Sequence, residues 1–223
     1  MELEKIRDCL RYYFITDHDD AALPPSAQVR LALSTGATAV QYRNKAFTLD
    51  HYAEAAAVRD LCRQSQVPFL VNDHILLARA LAADGIHLGQ DDTPPRLARQ
   101  ILGPDALIGL SVSNRHELAK SDLTVCNYIG TGPAFATRTK ADAKPVCGPD
   151  GLSEVAAVSP LPMVAIGGMT ADTVSVCRAA GAAGAAVISF ITRAPDPLRA
   201  ARAFGNACGC RPRNIPPRTG EIR

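Results

Sequence analysis

The 223-residue chain has no tryptophan, and aromatic residues make up only 5% of it. The missing tryptophan decides nothing by itself, but no basic stretch interleaves with aromatic residues, as a base-stacking surface would need. Its net charge is only +2, too small to imply a nucleic-acid or membrane partner by bulk electrostatics. Basic residues are densest between Arg211 and Arg223. No apolar run approaches the roughly 18 residues of a membrane span. The first twenty residues carry Glu2, Glu4, Lys5, Arg7 and Asp8 before any apolar run, unlike a secretory leader. A cytoplasmic location is expected. The seven cysteines are odd in number and scattered, which favours reduced thiols in that compartment. Cys208 and Cys210 alone are too few ligands for a metal site. There is no low-complexity stretch, no internal linker, and no Gly-x-Gly-x-x-Gly after the first apolar run.

What is present is an alternation of short apolar runs with longer amphipathic stretches. The runs are Tyr13–Thr16, Ala39–Arg43, Pro68–Val71, Gly85–Leu88, Leu107–Ser111, Tyr128–Gly130, Met163–Ile166 and Ala186–Ser189. Helical stretches are expected at Ser26–Ser34, Leu49–Ser65, Ile75–Ala83 and Pro94–Ile101. Four more follow at Arg115–Ser121, Leu152–Val158, Ala171–Ala180 and Pro197–Ala207. Strands alternating with helices predict βαβ units and a parallel sheet. Eight such units predict an α/β fold, a (β/α)8 TIM barrel of the phosphate-binding type, over a doubly wound open sheet. Residues 1–208 read as one such domain, and 209–223 as a disordered C-terminal tail rich in Pro, Arg and Gly.

A barrel enzyme carries its chemistry at the C-terminal ends of its strands. The expected strand ends here are polar almost throughout: Thr16 to Asp20, then Gln41, Arg43 and Lys45, then Asn72, Asp73 and His74. His87, Gln90, Asp91 and Asp92 follow, then Ser111 and Ser113, Thr137, Thr139 and Lys140, Gly167 and Gly168, and Ser189. Any one group could be an ordinary polar loop; convergence of all eight is harder to explain that way. Asp73 with Asp91 or Asp92 places carboxylates after adjacent strands, where they repel unless a hard cation such as Mg2+ lies between them. Alternation puts Gln41 and Arg43 on one side of their strand. If that side faces in, it offers a cationic clamp for a diphosphate. The Gly167-Gly168 turn, with Ser189 one unit later, fits the backbone phosphate cup of this fold. Two anionic ends suggest two phosphorylated substrates, or one bisphosphate.

Several stretches then resemble a known family. They are Tyr13-Phe14-Ile15-Thr16-Asp17, Gln41-Tyr42-Arg43-Asn44-Lys45, Val71-Asn72-Asp73, and Asp84 through Asp92 (DGIHLGQDD). Ile108 through Ser111, Tyr128 through Pro133, Thr137-Arg138-Thr139-Lys140 and Ala165 through Met169 complete the set. In order and spacing they resemble the thiamine-phosphate synthases over roughly residues 12 to 204. The resemblance implies a transferase that joins hydroxymethylpyrimidine diphosphate to a thiazole phosphate. It implies Mg2+ ligands at Asp73 and Asp92, and diphosphate contacts at Arg43, Lys45, Asn72 and Lys140. Gln41 would contact the pyrimidine and Ser111 the reacting centre. Thr137, Thr139, Gly168, Ile188 and Ser189 would hold the thiazole phosphate. Arg43, Lys45, Ser111 and Lys140 would be the catalytic set. His18 has a place above the pyrimidine, and His87 is either a hydrogen-bonded barrel residue or a proton-transfer group. His51 and His116 read as helix-surface residues.

Three positions depart from the family pattern: Asn44 where Glu is frequent, His74 where Arg is, and Leu76 where Asp is. Losing Arg at 74 would remove a cation near the diphosphate, which His74 would partly replace. A thiazole tautomerase and a non-catalytic phosphate-binding sensor are the alternatives; neither needs the metal and cationic residues retained here. A homo-oligomer is compatible with the sequence.

Overall fold

The computed structural model describes residues 2–19, 21–137 and 144–215. Eight parallel strands close into a barrel in chain order. They are β1 (Tyr12–Ile15), β2 (Ala39–Tyr42), β3 (Phe69–Asn72) and β4 (Gly85–Leu88), then β5 (Leu107–Ser111), β6 (Tyr128–Thr131), β7 (Met163–Ile166) and β8 (Gly184–Val187). β1 pairs with both β2 and β8, with Tyr13 opposite Ala39 and Ala186. The expected strands are all present, three of them with the expected bounds: β4, β5 and β7.

Helices α2 (Pro25–Ser34), α3 (Tyr52–Gln64), α4 (Ile75–Ala80) and α5 (Pro95–Leu102) follow the first four strands. α6 (Arg115–Lys120), α7 (Gly148–Val158), α8 (Val174–Ala179) and α10 (Pro197–Ala207) follow the others. Gly103 (φ 94°) ends α5 and Gly181 (φ 96°) follows α8, as their positions past the apolar pattern predict. Thr48 marks the start of a 3-10 turn (Leu49–His51) ahead of α3, where its amide donates to His51 Nδ1 (3.0 Å).

Two helices were not expected. α1 (Leu3–Leu10) turns Ile6 and Leu10 onto the interior cluster with Tyr13, Leu70, Leu107, Tyr128 and Val164. It thus plugs the N-terminal end of the barrel. α9 (Ser189–Thr192) is a single turn directly after β8. The last strand therefore lies two residues earlier than Ala186–Ser189. The run Ala179 to Ala186 is entirely Ala and Gly, so neither period 2 nor 3.6 is legible in it.

The core has two layers. Side chains at Tyr13, Ile15, Ala39, Leu70 and Ala186 fill the interior, while Tyr12, Phe14, Val40, Tyr42 and Val71 pack outward under the helices. This is the strand alternation made visible. The expected tail differs over 209–215. Cys210 is buried, Arg213 N donates to Ser34 O (3.1 Å), and its guanidinium reaches Ala37 O (3.1 Å). Residues 216–223 lie outside the described set. All seven thiols are unpaired, and burial pushes the Cys208 thiol up to about 12. Among the described residues no helix is long and apolar enough to cross a membrane.

One ion pair ties the barrel's first loop to its last. Asp17, fully buried at its side chain, accepts from Arg193 Nε (2.7 Å), Thr192 Oγ1 (3.1 Å) and the Asp19 amide (3.2 Å). Burial alone would raise its pKa; the Arg193 hydrogen bond and charge, with the amide and hydroxyl, outweigh it and hold the carboxyl below the usual range. Asp17→Asn removes the charge that the quarter-exposed Arg193 guanidinium meets there, an expected loss of about 1–3 kcal/mol. At about 2–4 °C per kcal/mol this is a readily measured fall in Tm. A depressed carboxyl stabilises above its unfolded pKa, and that contribution fades as pH falls through the folded value. The Tm difference between parent and variant should therefore be full at pH 6 and shrink below pH ~4. A gap that persists undiminished in acid would contradict this account.

Candidate active site

At the C-terminal end of the barrel lies a cavity of about 400 Å³, a size suited to small-molecule substrates. Gln41, Arg43, Lys45, Asn72, Asp73, Asp92, Ser111, Thr137, Gly168, Ile188 and Ser189 all line it. The structure thus brings together every expected site residue that it describes, His18 apart. Thr139 and Lys140 fall in 138–143, outside the described residues.

One wall is acidic and cationic together. Asp73 stands directly after β3 with φ of +59°, a left-handed conformation costly for a residue with a side chain. Its carboxylate accepts from Asn72 Nδ2 (2.6 Å) and lies 3.9 Å from Lys45 Nζ. Burial pushes the Asp73 carboxyl up to about 6. The adjoining Asp92 carboxyl adds to this, and Lys45 and Asn72 oppose it. The choice between Asp91 and Asp92 is decided here: both border the cavity, and Asp92 is the one that meets Asp73. Asp92 is itself held by the Gly89 amide (2.6 Å). A Cβ at residue 89 would come within 2.8 Å of that carboxylate, so glycine is what lets the loop close around it.

Arg43 is only 6% exposed. Among the described residues no carboxylate lies within ion-pair distance of it. Its backbone is pinned instead, with its amide donating to Thr16 Oγ1 (2.9 Å). A nearly buried guanidinium without a carboxylate is costly. It is poised for an anion that arrives from the cavity.

The opposite wall is backbone. Gly167 (φ 95°) and Gly168 (φ 62°) follow β7, and Ile188 and Ser189 open α9. A Cβ at 168 would meet Ala136 O at 2.6 Å and Phe135 Cβ at 2.7 Å, on top of the positive φ. Gly168→Ala is therefore expected to cost about 1–2 kcal/mol of stability. It should also raise KM for a phosphate-bearing substrate several-fold more than KM for a partner bound at the acidic wall. Equal effects on both would mean that this turn is structural only. Lys144, which the sequence reading did not single out, also borders the cavity and pairs with Glu117, fixing the return of the loop after β6.

The histidines separate clearly. His18 does not line the cavity: its ring packs edge-on against Tyr42 (5.2 Å between centroids) and His51 (5.7 Å). The place expected for it above the cavity is not the one it takes. His116 is exposed, and His51 closes the turn before α3. His87 lies inside the barrel, its Nε2 3.0 Å from Ser111 Oγ and its Nδ1 3.0 Å from Tyr128 Oη. Tyr128 meets Tyr13 (2.8 Å), which accepts from Gln41 Nε2 (3.0 Å). Burial drives both phenols well above their ordinary pKa, so both keep their protons. Tyr13 and Tyr128 had been legible only as strand residues. Their hydroxyls matter because the barrel turns them inward.

The departures at 44 and 74 adjoin one another, behind the cavity rather than in it. His74 Nε2 lies 3.2 Å from Asn44 O, and Leu76 points to solvent. His74 does not border the cavity, so the part-replacement expected of it is not made at the acidic wall.

Comparison with known proteins identifies the family. A family model described as thiamine monophosphate synthase matches residues 12–191. The thiamine-phosphate synthase of Salinibacter ruber is 42% identical over 176 residues, 78% of each chain. That of Bacillus velezensis is 38% identical over 206 residues, 90% of this chain and 92% of its own. The solved structure of thiamine phosphate pyrophosphorylase from Pyrococcus furiosus superposes with a TM-score of 0.83 at 34% identity, covering 92% of this chain and 98% of that one. With a family model spanning most of the barrel and relatives of this identity across nearly its whole length, the chain belongs to the thiamine monophosphate synthase family.

Proposed function

We propose that this protein is a transferase, a thiamine-phosphate synthase. It condenses 4-amino-2-methyl-5-hydroxymethylpyrimidine diphosphate with a thiazole phosphate to give thiamine phosphate and diphosphate. The observation that carries the reading is the nearly buried Arg43, without a carboxylate partner among the described residues, beside the Asp73–Asp92 pair. A tautomerase or sensor that handles only the thiazole half has no use for that wall.

The donor set fits a divalent cation. Two carboxylates adjoin, and the burial of Asp73 already disfavours its charge. A hard, oxygen-liganded cation held between them would relieve both. Two protein ligands suit an ion that keeps its waters; among the described residues no cluster of three acidic, His or Cys ligands exists. Asp73 and Asp92 would hold Mg2+. When bound, it supplies positive charge beside the leaving diphosphate.

The protein's own groups do the rest. Arg43, Lys45 and Asn72, with Lys140, bind the diphosphate and favour the charge that grows on it. The methylene C–O bond breaks and its electron pair leaves with the diphosphate. The thiazole nitrogen lone pair then forms the new C–N bond at that methylene. Gln41 and Ser111 orient the pyrimidine. Thr137 and Thr139, with Gly168, Ile188 and Ser189, hold the thiazole phosphate so that its nitrogen faces the methylene. Reduced thiols, a cytoplasmic setting and a homo-oligomer are compatible with this reading.

The test is incubation of the purified protein with both substrates and Mg2+, reading thiamine phosphate by fluorescence after oxidation. Product that disappears with chelator supports the reading. Binding of thiazole phosphate with no product from folded protein would favour the sensor or tautomerase.

A further inference from the structure

Inside the barrel, five side chains from five strands form one hydrogen-bonded line beneath the cavity: Gln41, Tyr13, Tyr128, His87 and Ser111. Its middle members are closed off from solvent, Tyr13 and Tyr128 each being 1% exposed. The barrel is cleared to make room for them. A Cβ at Gly109 would come within 2.5 Å of His87 Nδ1, and one at Gly130 within 2.9 Å of His87 Cε1. Glycine on the two strands beyond β4 is thus the condition for the imidazole to lie flat in this place.

The line has a direction. Gln41 Nε2 donates to Tyr13 Oη. Tyr13 must then give its own proton to Tyr128, since otherwise a fully buried O–H has no acceptor. Tyr128 gives its proton in turn to His87 Nδ1, which fixes the imidazole as the Nε2–H tautomer. His87 Nε2 donates to Ser111 Oγ, and the Ser111 proton is left to point into the cavity. At the other end, the Gln41 amide is held with its carbonyl oxygen free to accept. The cavity therefore presents an acceptor at Gln41 and a donor at Ser111. An aminopyrimidine offers the complement, an N–H donor on its amino group and an acceptor at a ring nitrogen.

We propose that Tyr13, Tyr128 and His87 are positioning residues that polarise Gln41 and Ser111, so that the site selects an aminopyrimidine over its oxo counterpart. This rests on the synthase reading above. The oxo analogue puts an acceptor where Gln41 also accepts, and Gln41 can turn over only if every bond of the line out to Ser111 reverses with it and His87 changes tautomer. Sites built on such fixed polarity reject the mismatched analogue by about 10⁴-fold.

The experiment measures kcat/KM for the aminopyrimidine diphosphate and for its 4-oxo analogue, at saturating thiazole phosphate and Mg2+. It is run on the full chain and on Tyr13→Phe and Tyr128→Phe. The amino/oxo ratio should drop at least tenfold in both variants, with KM for thiazole phosphate within about twofold of the parent. A merely structural role would lower both rates alike and leave the ratio intact, and that result in both variants overturns the proposal. If the variants fail to fold, ¹⁵N spectra of the histidine-labelled parent read the tautomer directly. Assignment comes from variants at the other four histidines. Nε2–H at His87 supports the direction of the line, and Nδ1–H overturns it. That reading needs no turnover, so failure of the synthase assay and failure of this inference are separable.

Discussion

Arg43→Met should lower kcat/KM for condensation by about 10²–10³-fold while leaving Tm equal to or above that of the parent. The two effects have opposite signs because they come from the same fact. A guanidinium 6% exposed, with no carboxylate in ion-pair reach among the described residues, is an uncompensated burial. Methionine keeps an unbranched apolar stem and removes the charge, so the empty protein gains what the charge cost it. The loss falls on the transition state, where the departing diphosphate would have met that cation. Lys45 does not replace it: it is half-exposed and already faces Asp73 at 3.9 Å. Both quantities come from one preparation, steady-state rates for the first and thermal unfolding for the second. A variant that loses stability and activity together would place Arg43 in the scaffold instead.

Asp92→Ala is expected to lower kcat/KM by a similar factor, about 10²–10³, and to raise the Mg2+ concentration for half-maximal rate at least tenfold. The second readout is calorimetric titration of Mg2+ into the protein without turnover. Asp92 is chosen over Asp73 because its substitution disturbs less. Asp92 is exposed and accepts one amide, from Gly89. Asp73 is partly buried in a left-handed backbone position that also organises Asn72 and Lys45. Asp91→Ala, which removes the neighbouring carboxylate at the same rim, should leave the Mg2+ requirement within about twofold, since ligation depends on position rather than local charge. If the Asp91 and Asp92 variants respond alike, the metal is held by a diffuse acidic rim and not by the Asp73–Asp92 pair.

By itself, the sequence determined the alternation of elements, and through it the barrel. It determined the polar residues at the strand ends too. Those properties are local: a period of 2 against 3.6, a glycine past a helix, an Arg two residues from a Gln on one strand face. α1 escaped because it is short and charged and buries only Ile6 and Leu10, a stripe that acquires meaning only against the barrel floor. The end of β8 escaped because small residues carry no period. Tertiary structure alone decided three matters at the site. It decided that Asp92 rather than Asp91 meets Asp73, because loop closure at Gly89 aims one carboxylate and not its neighbour. It turned His18 away to pack on Tyr42, while Asn44 and His74 paired behind the cavity. It also joined Gln41 to Ser111 through two tyrosines and a histidine, neighbours in that line being 24 to 115 residues apart in the chain but one hydrogen bond apart across the barrel. Polarity of that kind belongs to a closed sheet, where inward-facing side chains of distant strands have no partners but one another.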